Sequence, residues 1–461
     1  MSEIADATRS GALALVGDTP LFEVTKIDTG PCRLFLKLEN QNPGGSIKDR
    51  IGLFMIQAAI NEGHFRDGME FVEATAGNTG IGLALAAAAM GHKLTVFVPD
   101  KMAREKILHI QALGAKAVLT RSDVPKGHPE HYCSVAEAYA KASPDRYFID
   151  QFNNPANALA HEQSTGPEIF KQMDGDIDAF VCGVGSGGTL TGCGRYFRKV
   201  SPKTEMILAD PLGSAMAGWV NEGKPGPDGS YRVEGVGSDC IPGVCEIEYA
   251  TKAYSIPDAE SFETARMLLQ KEGILGGSST GTLVAAALRY CREQTTPKRV
   301  VTFVCDSGNK YLSKMFNDFW MREQKLLDEV EEGNVTDLLI HRFDRGEMVV
   351  VTPNDTLQTA YNRMRSADVS QLPVVEDGKL VGLIDESDMI HFVSSRKDVD
   401  DRFLRPVREA MVTNLQTIPA SGPPEAVVPI LEEDHVAIVM DGDRFLGLVT
   451  RVDWINHLRT H

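Results

Sequence analysis

The chain has 461 residues, of which 43% are hydrophobic, and a formal net charge of −17. This length exceeds one ordinary domain and predicts several folded units. Nucleic acids and anionic membranes bind clustered Lys and Arg, so acidic residues spread along the chain argue against both partners and favour small-molecule chemistry.

Residues 30–320 alternate apolar runs with helical stretches, which is the pattern of an α/β fold. The strand candidates are rich in Val, Ile and Leu and lie at 33–38, 94–98, 179–184, 206–209 and 300–305, and the helix candidates include 51–62 and 103–113. Because these strands are continuously apolar, we expect mostly parallel sheets with helices on both faces. Such sheets bind ligands at the carboxyl ends of their strands.

A glycine pair precedes Lys48 in the segment 43–50, which connects the strand at 33–38 to the next helix. The positive end of a helix dipole disfavours a charged amine, and Schiff-base chemistry requires an unprotonated lysine. Glycines also let a bulky cofactor approach the backbone. Lys48 is therefore a candidate for covalent catalysis, although a lysine after two glycines is more commonly a solvated loop residue.

A second segment, 73–80, precedes a helix built from residues 82–90. Its small residues, hydroxyls and exposed backbone amides predict an anion site of a size suited to a substrate carboxylate. An ordinary Asn and Thr helix cap is the competing interpretation.

A third segment, 183–189, follows the strand at 179–182 and has the pattern G-x-G-x-x-G, with Asp210 about 20 residues further on. Glycine amides at a helix start bind phosphate, whichever cofactor carries it, so this segment also matches the dinucleotide fingerprint. A fourth segment, 276–281, precedes another apolar helix, and a last strand leads into residues 305–309. Either of these could be a Gly-rich turn with a Ser cap.

Together and in this order, the four segments resemble the β-family (fold type II) pyridoxal-phosphate enzymes, the group of cysteine synthase and cystathionine β-synthase, over residues 10–320. The resemblance implies two helix-flanked, mostly parallel sheets and pyridoxal 5′-phosphate as cofactor. It implies that Lys48 binds the cofactor covalently, that Asn78 bonds its ring hydroxyl and that Ser278 faces its pyridine nitrogen. It also implies a phosphate cradle, formed by Gly185, Ser186, Gly187, Gly188 and Thr189. The site for the substrate carboxylate would be formed by Thr75, Ala76, Gly77, Thr79 and Gln151.

Two of these positions affect the expected chemistry. The family usually has Ser where this chain has Ala76, so one hydroxyl contact to the substrate is lost and the backbone amide must suffice. A neutral Ser278 cannot keep the pyridine nitrogen protonated, so the cofactor is a weaker electron sink. We expect β-elimination followed by addition of a thiol, with Lys48 as the base that removes the α-proton.

The segment 233–242 helps to distinguish cystathionine synthases from cysteine synthases. Cystathionine synthases tend to show Glu-Gly-x-Gly-Tyr-Asp, and here Glu234, Gly235 and Asp239 are kept, but Ser238 replaces the tyrosine and Phe152 is more typical of cysteine synthases. Glu234, as a catalytic residue, could accept the thiol proton of homocysteine or pair with its ammonium group. Gly235 and Asp239 are expected to contact the substrate.

The resemblance therefore favours a lyase that condenses serine, or an activated serine, with homocysteine to cystathionine in transsulfuration, with hydrogen sulfide as a further product. Its substrates would be small amino acids. A cysteine synthase with a regulatory tail is the alternative. A nicotinamide oxidoreductase and an inert nucleotide sensor are the remote alternatives, and the first of them leaves Lys48 and Asn78 without a role.

The C-terminal part repeats itself at a spacing of about 65 residues. Each half predicts strand, turn, strand and helix, and the repeat resembles a tandem pair of α+β CBS domains, the Bateman module. We predict a catalytic domain at 1–325, a linker at 326–340, and CBS domains at 341–397 and 405–461.

CBS pairs typically hold a ribose with a hydroxyl placed three residues before an Asp. Thr450 and Asp453 fit this pattern, whereas Asp385 replaces the hydroxyl before Asp388. The resemblance implies S-adenosylmethionine or an adenine nucleotide (AMP or ATP) at the second half. An empty structural module is the alternative.

The remaining expectations concern surroundings and assembly. No basic and apolar leader opens the sequence, no stretch is long enough to span a bilayer, and the eight cysteines are scattered, so we expect a soluble cytoplasmic chain with reduced thiols and no metal. No Cys or His precedes Cys32, so no haem is expected. The family implies a homodimer through the catalytic domain, or a tetramer through the tail.

Overall fold

The computed structural model describes residues 11–75, 77–100, 102–125, 127–227, 229–327, 332–395 and 401–460. The chain divides into two compact units between Phe316 and Asn317. We call the first the catalytic unit and the second the tail unit. Among the described residues, no helix has both the length and the apolarity needed to cross a membrane.

The catalytic unit alternates strands with helices, as the sequence predicts. Its strands are β1 Leu21–Glu23, β2 Arg33–Leu38, β3 Glu70–Ala74, β4 Lys93–Pro99, β5 Lys116–Thr120, β6 Arg146–Phe148, β7 Ala179–Cys182, β8 Glu205–Pro211, β9 Lys252–Ile256 and β10 Arg299–Val304. Its helices are α1 Lys48–Asn61, α2 Asn78–Met90, α3 Arg104–Ala112, α4 Tyr132–Lys141, α5 Pro155–Ala160, α6 Gly166–Gln172, α7 Gly188–Val200, α8 Met216–Glu222, α9 Asp258–Glu272 and α10 Ser278–Arg292.

These strands form two sheets in the described part of the unit. The larger sheet has the order β1-β2-β10-β7-β8-β9 and is parallel except for β1, which pairs antiparallel with β2 at one edge. The smaller sheet has the order β5-β4-β3-β6 and is wholly parallel. Buried apolar residues run the length of β7 and through most of β4 and β10, which confirms the prediction of parallel sheets covered on both faces.

Helices α1 and α2 cross at two glycines. A Cβ at Gly52 would lie 2.5 Å from the Gly82 carbonyl carbon, and a Cβ at Gly82 would lie 2.5 Å from the Lys48 carbonyl oxygen. Only glycine allows backbones to approach this closely. The crossing brings the first turns of the two helices together, and these turns carry Lys48 and Asn78.

Three helices begin earlier than their sequence patterns indicate. The apolar runs at 82–90 and 282–288 belong to α2 and α10, which begin at Asn78 and Ser278, and α7 begins at Gly188. The Gly, Ser, Thr and Asn residues ahead of each run have low helix propensity, but they are well suited to a first turn whose backbone amides face a ligand. The predicted ligand loops are therefore partly first turns of helices.

The tail unit contains a repeated strand hairpin followed by a helix. Its elements are α11 Asp318–Glu323, α12 Leu357–Ala367, β11 Gln371–Glu376, β12 Lys379–Asp385, α13 Glu386–Ser395, β13 Thr417–Pro419, α14 Val428–Glu432, β14 Ala437–Asp441, β15 Arg444–Val449 and α15 Arg451–Thr460. Both hairpins are antiparallel, and their register shifts at matching positions, after Val374 and after Val439. The strand, turn, strand and helix order predicted for each half is present.

Candidate active site

Lys48 is the first residue of α1 and is half-buried. The neighbouring Ile47 amide donates to the Cys305 carbonyl at 2.9 Å, which places Lys48 beside the end of β10. Burial lowers the pKa of the Lys48 ammonium, and the negative potential of Cys305 and Asp306 opposes this only in part. The amine is therefore biased toward the unprotonated form that covalent cofactor binding requires.

The Asn78 amide is fixed from both ends. Its Nδ2 donates to Asp306 Oδ2 at 2.7 Å, and Lys310 Nζ donates to its Oδ1 at 3.0 Å. Lys310 Nζ also donates to the carbonyls of Gly44 and Gly45, at 3.1 Å each. One buried ammonium thus ties the glycine pair ahead of Lys48 to the start of α2.

The predicted carboxylate loop, residues 75–79, lies against Gln151. Thr79 Oγ1 donates to Gln151 Oε1 at 2.7 Å, and the Gly77 amide donates to Thr75 Oγ1 at 3.4 Å. Gly77 has φ 141°, in the region that favours glycine. Ala76, the remaining predicted contact, lies outside the described residues.

Glu73 is wholly buried just ahead of this loop. It accepts hydrogen bonds from the backbone amides of Ala74 at 2.7 Å and Gln151 at 3.2 Å. Burial raises the pKa of Glu73 to about 8, and the two amide bonds oppose this shift. The carboxyl group is consequently neutral at neutral pH, so it places no charge beside a bound carboxylate.

The predicted phosphate cradle opens α7. Ser186 Oγ accepts from Asn157 Nδ2 at 2.9 Å, and Gly187 has φ 91°. A Cβ at Gly188 would lie 1.9 Å from Asn157 Oδ1, so a side chain is excluded there. The start of α7 therefore has glycine amides uncovered by side chains, as the predicted phosphate cradle requires.

Two further contacts border this cradle. A Cβ at Gly185 would lie 2.5 Å from the Gly235 carbonyl oxygen, so the cradle abuts the segment that contains Glu234. Thr189 Oγ1 lies 3.3 Å from His161 Nε2, and His161 lies in a π-helical turn, His161–Thr165. Burial lowers the pKa of His161 well below its usual value, so this ring is neutral.

Ser278, the first residue of α10, lies beside Glu234. The Glu234 amide donates to Ser278 Oγ at 3.0 Å. Gly235 follows with φ 92°, and both Gly235 and Asp239 are exposed. The structure therefore brings Ser278 and Glu234 together, whereas Asp239 lies at the surface.

Two lysines hold the Glu234 carboxylate. Lys106 Nζ lies 2.6 Å from its Oε2 and Lys314 Nζ lies 2.7 Å from its Oε1. Burial by itself would raise the pKa of Glu234, but the two ammonium groups outweigh it and lower the pKa. Glu234 is an ionised carboxylate and a poor proton acceptor.

A cofactor with a phosphate and an aromatic ring fits these residues. The cradle excludes side chains at Gly187 and Gly188, where a Cβ would overlap Cys245 and Asn157. Asp306 Oδ1, wholly buried next to the Asn78 contact, has no hydrogen-bond partner among the described residues. The predicted phosphate cradle, a lysine with a lowered pKa and an unsatisfied carboxyl oxygen suit both the binding and the chemistry of such a cofactor.

The tail unit contains the predicted nucleotide pair. Asp453 Oδ2 accepts from the Thr450 amide and from Thr450 Oγ1, both at 2.7 Å. In the first half, the Asp388 amide donates to Asp385 Oδ1 at 2.7 Å. Both pairs cap the helix that follows them, so the capping role and the predicted ribose role fall on the same residues.

Several site residues have no role assigned from the sequence, among them Lys106, Asp306, Lys310, Tyr311 and Lys314. Tyr311 OH donates to Asp306 Oδ2 at 2.8 Å and lies 2.9 Å from Lys106 Nζ. The segment 305–309 was recognised as a loop after the last strand, which is the only sequence signal for Asp306. Lys106 lies within the predicted helix 103–113, and no sequence signal distinguishes it.

The catalytic unit and the tail unit each match a family model. Residues 12–306 match the family described as pyridoxal-phosphate dependent enzyme, and residues 339–395 and 407–460 match the CBS domain. The chain is 35% identical over 457 residues to cystathionine beta-synthase of Apis mellifera, covering 95% of this chain and 88% of that protein. It is 40% identical over 319 residues to cysteine synthase A of Escherichia coli K12, covering 67% of this chain and 96% of that protein.

Solved structures resemble the catalytic unit. An O-acetylserine-dependent cystathionine beta-synthase from Helicobacter pylori superposes with a TM-score of 0.61 at 34% identity, covering 65% of this chain and 96% of that chain. A hydrogen-sulfide-producing enzyme from Fusobacterium nucleatum gives a TM-score of 0.61 at 35% identity, covering 66% and 99%.

Proposed function

The chain belongs to the pyridoxal-phosphate-dependent enzyme family, and we propose that it condenses serine, or an activated serine, with homocysteine to cystathionine by β-replacement. The observation that carries the choice of acceptor is Glu234, an ionised carboxylate bonded through its backbone to Ser278. Such a group suits an acceptor that bears an ammonium group, which sulfide lacks. The cystathionine beta-synthase of Apis mellifera also matches this chain through both units.

Pyridoxal phosphate, when bound, supplies the electron sink for cleavage at the donor's α-carbon. Lys48, with its lowered pKa, would carry the cofactor and take up the α-proton. Thr75, Gly77 and Thr79 would bind the donor carboxylate, with Gln151 holding Thr79. Ser278 would offer only a neutral hydroxyl at the ring nitrogen.

The lowered pKa of Glu234 favours one of its two candidate roles. A carboxylate that stays ionised accepts a thiol proton poorly but pairs well with an ammonium group. Lys314, with 22% of its side chain exposed, would be the partner that the acceptor's ammonium exchanges with, because the Lys106 side chain is only 2% exposed.

Cysteine synthesis from an activated serine and sulfide is the second candidate. The 40% identity to cysteine synthase A over the catalytic unit favours it. Ser238, where the cystathionine pattern has Tyr, donates its hydroxyl to the Cys240 carbonyl at 2.6 Å and therefore serves the local backbone.

Product analysis of the purified enzyme tests the proposal. Serine and O-acetylserine are each supplied with homocysteine or sulfide, and the products are separated by chromatography. We expect cystathionine with homocysteine, and Lys48→Ala should make no product. Glu234→Gln should lower kcat/KM for homocysteine about tenfold or more and that for sulfide far less.

The matched control is Glu263→Gln, which changes an exposed carboxylate on α9 and should leave both reactions unchanged. Cysteine formed from sulfide, without cystathionine from homocysteine under any condition, would establish the cysteine synthase alternative instead. Equal losses for both acceptors in Glu234→Gln would remove the assigned role of Glu234.

The proposal extends to the tail and to assembly. Residues 341–397 and 405–461 would form CBS domains after a linker at 326–340, and Thr450 and Asp453 would hold the ribose of an adenosyl ligand. We propose a cytoplasmic homodimer, with small amino acids and an adenosyl compound as ligands.

A further inference from the structure

Lys106 lies on α3, which connects strands β4 and β5 of the smaller sheet, and its side chain is 2% exposed. The alkyl part of the side chain covers the carboxylate loop, because a Cβ at Gly77 would lie 2.6 Å from Lys106 Cδ. The left-handed φ of 141° at Gly77 and this close approach both require glycine there. Lys106 therefore forms part of the cover over the predicted donor site.

The ammonium group of Lys106 reaches residues on the side of the larger sheet. It lies 2.6 Å from Glu234 Oε2 and 2.9 Å from Tyr311 OH, and 4.5 Å from the centre of the Tyr311 ring. Tyr311 follows β10, the strand that leads to Asp306. One side chain thus connects α3, between β4 and β5 of the smaller sheet, to segments that follow β8 and β10 of the larger sheet.

The contact continues into the cofactor site. Tyr311 OH donates to Asp306 Oδ2, which also accepts from Asn78 Nδ2. Tyr311 is buried along with Lys106. The chain of bonds from Glu234 through Lys106, Tyr311 and Asp306 to Asn78 therefore links helices of the smaller sheet to segments of the larger one.

We propose that Lys106 is a positioning residue that fastens α3 to the segments after β8 and β10 and keeps water from the donor after it has lost its β-substituent. This inference rests on the proposed function only in requiring a β-replacement, whichever thiol is the acceptor.

The donor has two possible fates after the serine hydroxyl is lost as water. In the productive branch the acceptor sulfur bonds to the β-carbon. In the leak, water attacks the α-carbon and the nitrogen leaves as ammonium, so serine becomes pyruvate and ammonia with no net oxidation.

The test is the ratio of pyruvate to thioether product in the holoenzyme at saturating thiol. Lys106→Met keeps the alkyl cover over Gly77 and removes the ammonium, and we expect it to raise this ratio about tenfold. Lys106→Arg keeps a cation and should restore most of the wild-type ratio. Tyr311→Phe removes one of the two polar contacts of the Lys106 ammonium and should give an intermediate ratio. This variant provides the test if Lys106→Met does not fold.

The matched control is Lys116→Met, which alters an exposed lysine at the start of β5 and should leave the ratio unchanged. A purely structural role would lower yield or melting temperature without changing the product ratio. An unchanged ratio in folded Lys106→Met and Tyr311→Phe would overturn the inference.

A second measurement is independent of turnover. Hydrogen–deuterium exchange of the holoenzyme should become faster both in residues 104–112 and in residues 233–236 of Lys106→Met, because one contact joins them. If homocysteine proves not to be an acceptor, the ratio of pyruvate to cysteine is measured with sulfide instead. The proposed function can then fail while the fastening role stands. Unchanged exchange in either segment would count against the fastening role.

Discussion

Buried Glu73, next to the predicted carboxylate loop, predicts a pH dependence of donor binding. It is neutral below a pKa of about 8, which burial has raised from its ordinary value, and it contacts Gln151, the partner of Thr79 in the carboxylate loop. Because the folded pKa lies above the unfolded one, the unfolded state holds fewer protons between these values, and the group's contribution to stability falls as pH rises toward 8. Above pH 8 it adds a negative charge near the donor carboxylate.

The KM for the donor should therefore rise by about threefold or more between roughly pH 7 and pH 9.5 in the unmodified chain. Glu73→Gln keeps the group neutral and should flatten this rise, and its melting temperature should fall less with pH. The measurements are steady-state kinetics and calorimetry across pH. Glu137→Gln, at an exposed position of α4, is the control. Identical pH profiles with and without Glu73 would show that its ionisation does not matter.

At the scale of elements, the crossing of α1 and α2 positions Lys48, the predicted cofactor lysine. A Cβ at residue 82 would lie 2.5 Å from the Lys48 carbonyl oxygen, so the helices can approach this closely only with glycine at that position. Both helices are largely buried, and the core around them includes Ile51, Met55, Ile81 and Leu83. The core cannot yield freely to an added methyl group because it is close-packed.

Gly82→Ala should separate the two helix starts and so move Lys48 away from Asn78. We expect a loss of about 1–3 kcal/mol in the free energy of unfolding and a dissociation constant for pyridoxal phosphate raised about tenfold. Denaturant unfolding and titration of the apoenzyme followed by absorbance measure the two effects. Ala88→Ser, which adds one atom on the exposed face of α2, is the control. Tight cofactor binding in a stable Gly82→Ala chain would contradict the assigned role of the crossing.

At the scale of the whole molecule, the two halves of the tail differ in charge at matching positions. The second half pairs a hydroxyl with a carboxylate at Thr450 and Asp453, whereas the first pairs two carboxylates at Asp385 and Asp388. Burial raises the pKa of Asp453 and of Asp388. A ribose offers hydroxyl donors to a carboxylate, and a second carboxylate would repel an attached phosphate.

Calorimetry of the full chain with S-adenosylmethionine, AMP and ATP should therefore find binding that depends on the second half. Asp453→Asn should weaken the affinity about tenfold or more, and Asp388→Asn, the matched change in the first half, about twofold or less. Ligand that binds the folded state alone should also raise the melting temperature. Absence of heat and of stabilisation with all three compounds would remove the proposed site.

Much of the catalytic unit was predictable because its signals are local. Each strand and helix is signalled by its own run of residues, and the glycine pair before Lys48 and the Gly-rich start of α7 each lie within one short segment. The family order of these segments then identified the cofactor, and the family match to residues 12–306 confirmed it. Helix starts were placed too late, because residues that bind ligands through their backbone amides have low helix propensity.

The sequence by itself determined the α/β class from its periodicity, while the cofactor and the tandem CBS tail followed from the resemblance of its segments and of its repeat to known families. Only the tertiary structure joined Lys106 to Glu234 and Asn78 to Asp306, which are separated by 128 and 228 residues. No spacing rule links positions so far apart. The order of strands in two sheets decides which loops meet at their ends, and that order follows from long-range packing.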